Sequence, residues 1–143
     1  MTPEMFDLAR RAVICKGWRW MPGMRTTEGM RVIHEPRLWP DRPSAIREGS
    51  WVDTAVPRPL GDHLPDFDDP ATMGCLLALV REAWRAPRAL VRLSANGTSF
   101  HVFDVDRVTM GGNWAAFLCG DRGLQTEAGA LVAALEAAPE VTP

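Results

Sequence analysis

Apolar residues recur at two spacings along this chain, and the switch between them divides it into helices and strands. Met5, Leu8, Ala9, Ala12 and Val13 repeat at intervals that line one helical face. Thr2, Pro3 and Glu4 precede them as cap, first-turn proline and acidic first turn, so a first helix is predicted to about Cys15. Lys16 and Gly17 then offer a basic end and a glycine suited to left-handed termination. Met73, Leu76, Leu77, Val80, Ala83 and Trp84 mark a second helix that starts at Asp69-Pro70 and ends at Pro87. Cys75 and Leu79 widen its apolar surface and predict it to be the most buried of the helices. Thr126 caps a third, with Ala128, Leu131, Val132, Leu135 and Ala138 as its stripe and Gly129 weakening it modestly.

Elsewhere the period drops to two. Trp18, Arg19, Trp20 and Met21 alternate as a strand, Pro22-Gly23 makes a turn, and residues 30 to 34 are the expected partner. The clearest local signal spans residues 88 to 105, where Asn96-Gly97 is the preferred centre of a two-residue type I′ hairpin turn. That turn pairs Leu93 with Phe100, Arg92 with His101, Val91 with Val102 and Leu90 with Phe103, leaving one face wholly apolar. Trp114 to Leu118, after Gly111-Gly112, is a further strand candidate. Between Glu35 and Asp69 prolines crowd the chain, and only Trp51, Val52, Val56 and Leu60 offer apolar anchors. This stretch reads as a long irregular insertion, the kind that carries specificity when it occurs in a compact domain. The order of elements predicts one layered domain over residues 1–143, of α/β (α+β) class. Its sheet is mostly antiparallel, with four to five strands flanked by three helices.

Composition narrows the function classes. A chain of 143 residues with 46% hydrophobic and 24% charged residues has ordinary globular proportions. It contains no apolar run of the roughly 18 residues that span a bilayer and begins with no basic stretch followed by an apolar one, so a cytoplasmic protein away from membranes is expected. Cys15, Cys75 and Cys119 are odd in number and far apart, which suits reduced thiols rather than a disulfide framework. A net charge of -2 gives no bulk attraction to nucleic acid.

Candidate chemistry is sparse. Asp62, His63, Asp66, Asp68 and Asp69 could hold a hard cation, but their spacing fits no metal motif and Asp69 is needed as a cap, so solvated turn chemistry is expected. His34, His63 and His101 lack zinc-site spacing, and no metal or cofactor is expected. Ser94 and Ser99 have no nucleophile-elbow context, so a triad would have to be assembled in three dimensions, and no catalytic residue is assigned. The Gly111-Gly112 and Gly120–Gly123 turns lack the phosphate-cradle pattern, and the Asn96-Gly97-Thr98 sequon is explained by the hairpin.

Two groups of residues point to binding. Arg81 and Arg85 stand four apart on the second helix, a repulsive spacing, and Arg88 and Arg92 share the outer face of the next strand. The four could converge on one anion, as arginine suits bidentate contact with phosphate or carboxylate; the alternative is an ordinary wet surface compensated by Glu82 and solvent. Six tryptophans with no tyrosine form the second group. Trp18 and Trp20 suit core packing, whereas Trp39 and Trp51, in the proline-rich insertion, suit stacking on a base or anchoring a partner.

Three blocks, Ala12–Met24 (AVICKGWRWMPGM), Leu64–Trp84 (LPDFDDPATMGCLLALVREAW) and Thr126–Pro139 (TEAGALVAALEAAP), resemble small proteins encoded by phages and prophages, and more loosely the phage ABA sandwich domain, in which helices flank a sheet. The resemblance implies a non-catalytic accessory protein, in a host cytoplasm, that serves counter-defence by binding. It transfers no site residues. Three functions follow: sequestration of a nucleotide-like anionic ligand, inhibition of a host defence complex in the manner of an anti-CRISPR protein, or an enzyme whose site is invisible in one sequence.

Overall fold

The computed structural model describes residues 1–34, 43–47, 60–94, 97, 99–104 and 126–139. They form an α+β fold with helices α1 (Pro3–Val13), α2 (Pro70–Ala83) and α3 (Glu127–Glu136). Strands β1 (Met30–Ile33) and β2 (Ser44–Arg47) make one antiparallel pair, and β3 (Ala89–Leu93) and β4 (Phe100–Asp104) make another. The class, the antiparallel pairing and the three helices are as expected from the sequence. The four strands lie in two sheets rather than one. The Trp114–Leu118 strand falls outside the described residues.

The chain divides into two compact units, Met1–Val13 with Arg19–Cys75, and Ile14–Trp18 with Leu76–Pro143. In the first, α1 opens as its sequence dictates: the Thr2 hydroxyl accepts from the Met5 N–H, and Ala9 and Ala12 are fully buried. The alternation at Trp18–Met21 does not produce a strand. Ladder-like bonds begin later, where Gly23 N donates to Val32 O (2.9 Å), Val32 N to Met24 O (2.8 Å) and Thr26 N to Met30 O (2.8 Å). The reversal is made by Gly29, whose φ of 79° closes a turn from Thr26. The other edge of β1 pairs with β2, which lies within the stretch expected to be irregular. Ser44, Ala45 and Ile46 are all buried, so β2 is covered on both faces and shows no alternation that a sequence pattern could reveal.

Asp69 and Thr72 join this unit together. The Asp69 carboxylate accepts the Thr72 N–H (2.9 Å) and hydroxyl (2.8 Å), capping α2 as its position before Pro70 predicts. It also accepts Arg31 Nη1 at 3.0 Å, and the same nitrogen reaches Gly23 O at 2.8 Å. Thr72 Oγ1 in turn accepts the Arg25 N–H (2.8 Å), so a fully buried threonine links the helix start to the Arg25 segment.

In the second unit, α3 packs on the β3–β4 hairpin. Thr126 caps α3 through a 2.9 Å bond from Gly129 N. Ala128, Gly129, Ala130, Leu131, Val132, Ala134 and Leu135 are all buried. A helix apolar all round belongs in a core, and α3 rather than α2 is the most buried of the three. Gly17 is not a left-handed terminator, since α1 already ends at Val13. A Cβ at Gly17 would stand 3.0 Å from Leu135 Cδ1 and 3.4 Å from Ala83 Cβ, so the glycine permits a close approach. Trp84 Nε1 donates to Ala134 O at 2.7 Å, satisfying the indole of an otherwise packing side chain.

Candidate anion-binding site

The hairpin register matches the sequence expectation at every pair: Leu93–Phe100, Arg92–His101, Val91–Val102 and Leu90–Phe103, with Ala89–Asp104 closing the base. Ser94 N donates to Ser99 O (2.7 Å), extending the ladder by one pair. At the turn, Gly97 has a φ of 72° and its N–H donates to Ser94 O (2.9 Å). Asn96 lies outside the described residues. Alternate pairs share a face. Ala89 and Val102, both fully buried, stand on one face with the nearly buried Asp104; Arg92, exposed, and His101, half-buried, stand on the other.

The four arginines singled out in the sequence meet different fates. Arg81 Nε donates to Ala89 O at 2.8 Å, so this guanidinium ties the end of α2 to the start of β3 and is a structural member of the fold. Arg85 lies beyond the helix rather than on it. Arg85 N donates to Glu82 O and Ala86 N to Arg81 O, the paired bonds of a Schellman termination with Arg85 in the left-handed position at φ 50°. The helical i,i+4 geometry expected of Arg81 and Arg85 is therefore absent, and Arg85 instead takes on a backbone strain that glycine would avoid. Ala86, next in the motif, is buried, and Pro87 follows. Arg88 and Arg92 are exposed. Among the described residues, the side chains of Arg85 and Arg92 make no hydrogen bond or ion pair, whereas Arg88 is engaged. Trp39 and Trp51 lie outside the described residues.

No protein-family model, curated protein or solved structure matches this chain. The site must therefore be judged on its own chemistry. Sequence reasoning missed the side chains around Arg92. Ser99 Oγ lies 3.1 Å from His101 Nε2 and donates to Ser94 Oγ at 3.2 Å, while Ser99 N donates to Ser94 Oγ at 3.3 Å. The signal was available: Ser94, Ser99, Arg92 and His101 fall on one face as soon as the register is drawn.

Much of the acidic stretch serves the fold, while Asp62 is exposed. Asp66 pairs with Arg25 (3.6 Å) and accepts Asp68 N (3.0 Å), and Asp69 caps α2. His63 Nδ1 approaches Glu28 Oε2 to 2.8 Å without hydrogen-bond alignment, an ion pair only when the ring is protonated. Among the described residues no cluster of three or more histidine, cysteine or acidic side chains is arranged to hold a metal. Burial, followed by the charge of Asp69, raises the Cys75 thiol above its ordinary pKa, which disfavours the reactive thiolate. No described helix is long and apolar enough to cross a membrane.

Proposed function

We propose that this is a non-catalytic binding protein that takes an anionic, nucleotide-like ligand through Arg85 and Arg92, with Arg88 between them in sequence. The observation that carries the reading is the conformation of Arg85. A long cationic side chain occupies a left-handed position that glycine fills without strain, it is exposed, and it makes no side-chain bond among the described residues. The backbone of Arg85 ends α2, but its side chain makes no bond among the described residues and its left-handed position costs stability, as expected of a side chain kept for something outside the fold. Arginine supplies a planar, permanently charged fork for phosphate oxygens. On the resemblance to small phage-encoded proteins read from the sequence, the role would be counter-defence, where sequestering a host nucleotide signal needs binding and no catalysis.

Arg81 is set apart from the other three because its Nε already serves Ala89 O. A second reading, capture of a host protein, draws support from Leu93, a large apolar side chain 45% exposed that follows Arg92 in sequence and stands on the opposite face of β3. Calorimetric titration of the full chain with ATP separates the two. On the first reading ATP binds and Arg85→Glu abolishes binding while circular dichroism stays unchanged. Full ATP affinity in Arg85→Glu removes Arg85 from the site, and absence of ATP binding by the wild type leaves the protein-partner reading in its place.

A further inference from the structure

We propose that the outer face of the β3–β4 hairpin holds a nucleoside monophosphate, with the phosphoryl group on Arg92, Ser99 and His101 and the base on Leu90 and Phe103. The inference rests on the anion-binding reading above and gives the anion a place. Register decides which side chains stand together. Ser94 opposes Ser99, Arg92 opposes His101 and Leu90 opposes Phe103, and because these are alternate pairs all six stand on one face of the ladder. The face therefore carries three rows: hydroxyls near the turn, a guanidinium beside an imidazole in the middle, and two apolar side chains at the base.

Each row matches one part of such a ligand. The first two rows hold hydrogen-bonding groups and no carboxylate to repel an anion; the acidic residue of the hairpin, Asp104, stands on the opposite face with Ala89. Arg92 is exposed and makes no side-chain bond among the described residues, so its fork is open to solvent. Ser99 and His101 are already held 3.1 Å apart, which fixes the imidazole relative to the hydroxyl before any ligand arrives. Hydroxyl protons rotate, so the Ser99 proton directed at Ser94 across 3.2 Å can turn to an incoming oxyanion at the cost of one weak bond. Leu90 and Phe103 are only half-buried, which leaves apolar surface for contact with a base, on which the Phe103 ring can stack. Alternate residues on a strand are about 7 Å apart, a spacing suited to a phosphoryl group in one row and its base in the next.

Calorimetric titration of the full chain with adenosine 5′-monophosphate and with adenosine tests this. The monophosphate is expected to bind at least about tenfold more tightly than the nucleoside, since two or three charge-assisted bonds are at stake. Arg92→Gln and Ser99→Ala should each remove most of that advantage and leave adenosine affinity unchanged. Ser99→Thr, which keeps the hydroxyl, should retain monophosphate binding and so separates loss of the donor from loosening of the hairpin. The proposal is overturned if the monophosphate binds no better than adenosine, or if Arg92→Gln and Ser99→Ala both keep wild-type affinity for it. Should those two variants bind normally while Arg85→Glu does not, the hairpin site fails and the wider anion-binding reading stands. If Arg92→Gln and Ser99→Ala lose binding while Arg85→Glu keeps it, the hairpin site stands and the role of Arg85 fails.

Discussion

Arg85 and Asp69 show how single residues carry opposite obligations. Arg85 sits at φ 50° where the chain must turn left-handed to end α2, and an L-residue there costs about 1 kcal/mol or more relative to glycine. Arg85→Gly is therefore expected to raise the melting temperature, by a few degrees for a chain of this size; a scan showing no change or a decrease would mean the side chain repays its strain within the fold. Asp69 works for stability. Burial alone raises its carboxyl pKa, but the Thr72 hydroxyl, Arg31 and the Thr72 N–H together outweigh that and hold it below its ordinary value of 3.8. A depressed folded pKa gives stability that is present above 3.8 and lost as pH falls through the folded value. Asp69→Asn should lose the Arg31 ion pair, destabilise the protein by about 1–2 kcal/mol at neutral pH, and flatten its loss of stability in acid. Denaturant melts of both proteins between pH 2 and 7, roughly the carboxylate range, provide the check, and parallel curves would remove Asp69 from the account.

At the scale of elements, legibility followed physical cause. The β3–β4 register could be read because alternation and a glycine turn act locally and agree. The caps at Thr2, Asp69 and Thr126 could be read because a cap is a property of one side chain and the next turn. Strand β2 could not: four residues covered on both faces leave no alternation, and its identity depends on a partner, β1, at a distance in sequence. The end of α2 was also hidden, because apolar periodicity runs through Trp84 while the Schellman bonds stop the helix at Ala83. Gly17 looked like a terminator and proved to be a contact surface for α3, a role set by tertiary packing. Gly17→Val should cost about 1–3 kcal/mol through overpacking against Leu135 and Ala83. An unchanged denaturation midpoint would show that α3 can move aside.

For the molecule as a whole, a net charge of -2 makes any attraction to an anion local, so recognition must come from where a few arginines stand. The sequence singled out four as one group; the structure separates Arg81, spent on Ala89 O, from Arg85 and Arg92, whose guanidiniums make no bond among the described residues. That separation was invisible in the chain because it depends on a helix terminus and a strand register together. The serine and histidine beside Arg92 were likewise visible as residues but not as neighbours until the two strands were paired. The most direct test of the anion-binding reading measures two properties of one protein: the melting temperature and the ATP affinity of Arg85→Gly. The account predicts a more stable protein whose ATP affinity falls by about tenfold or more, the loss of one charge-assisted contact. A more stable protein that binds ATP as well as the wild type would contradict it.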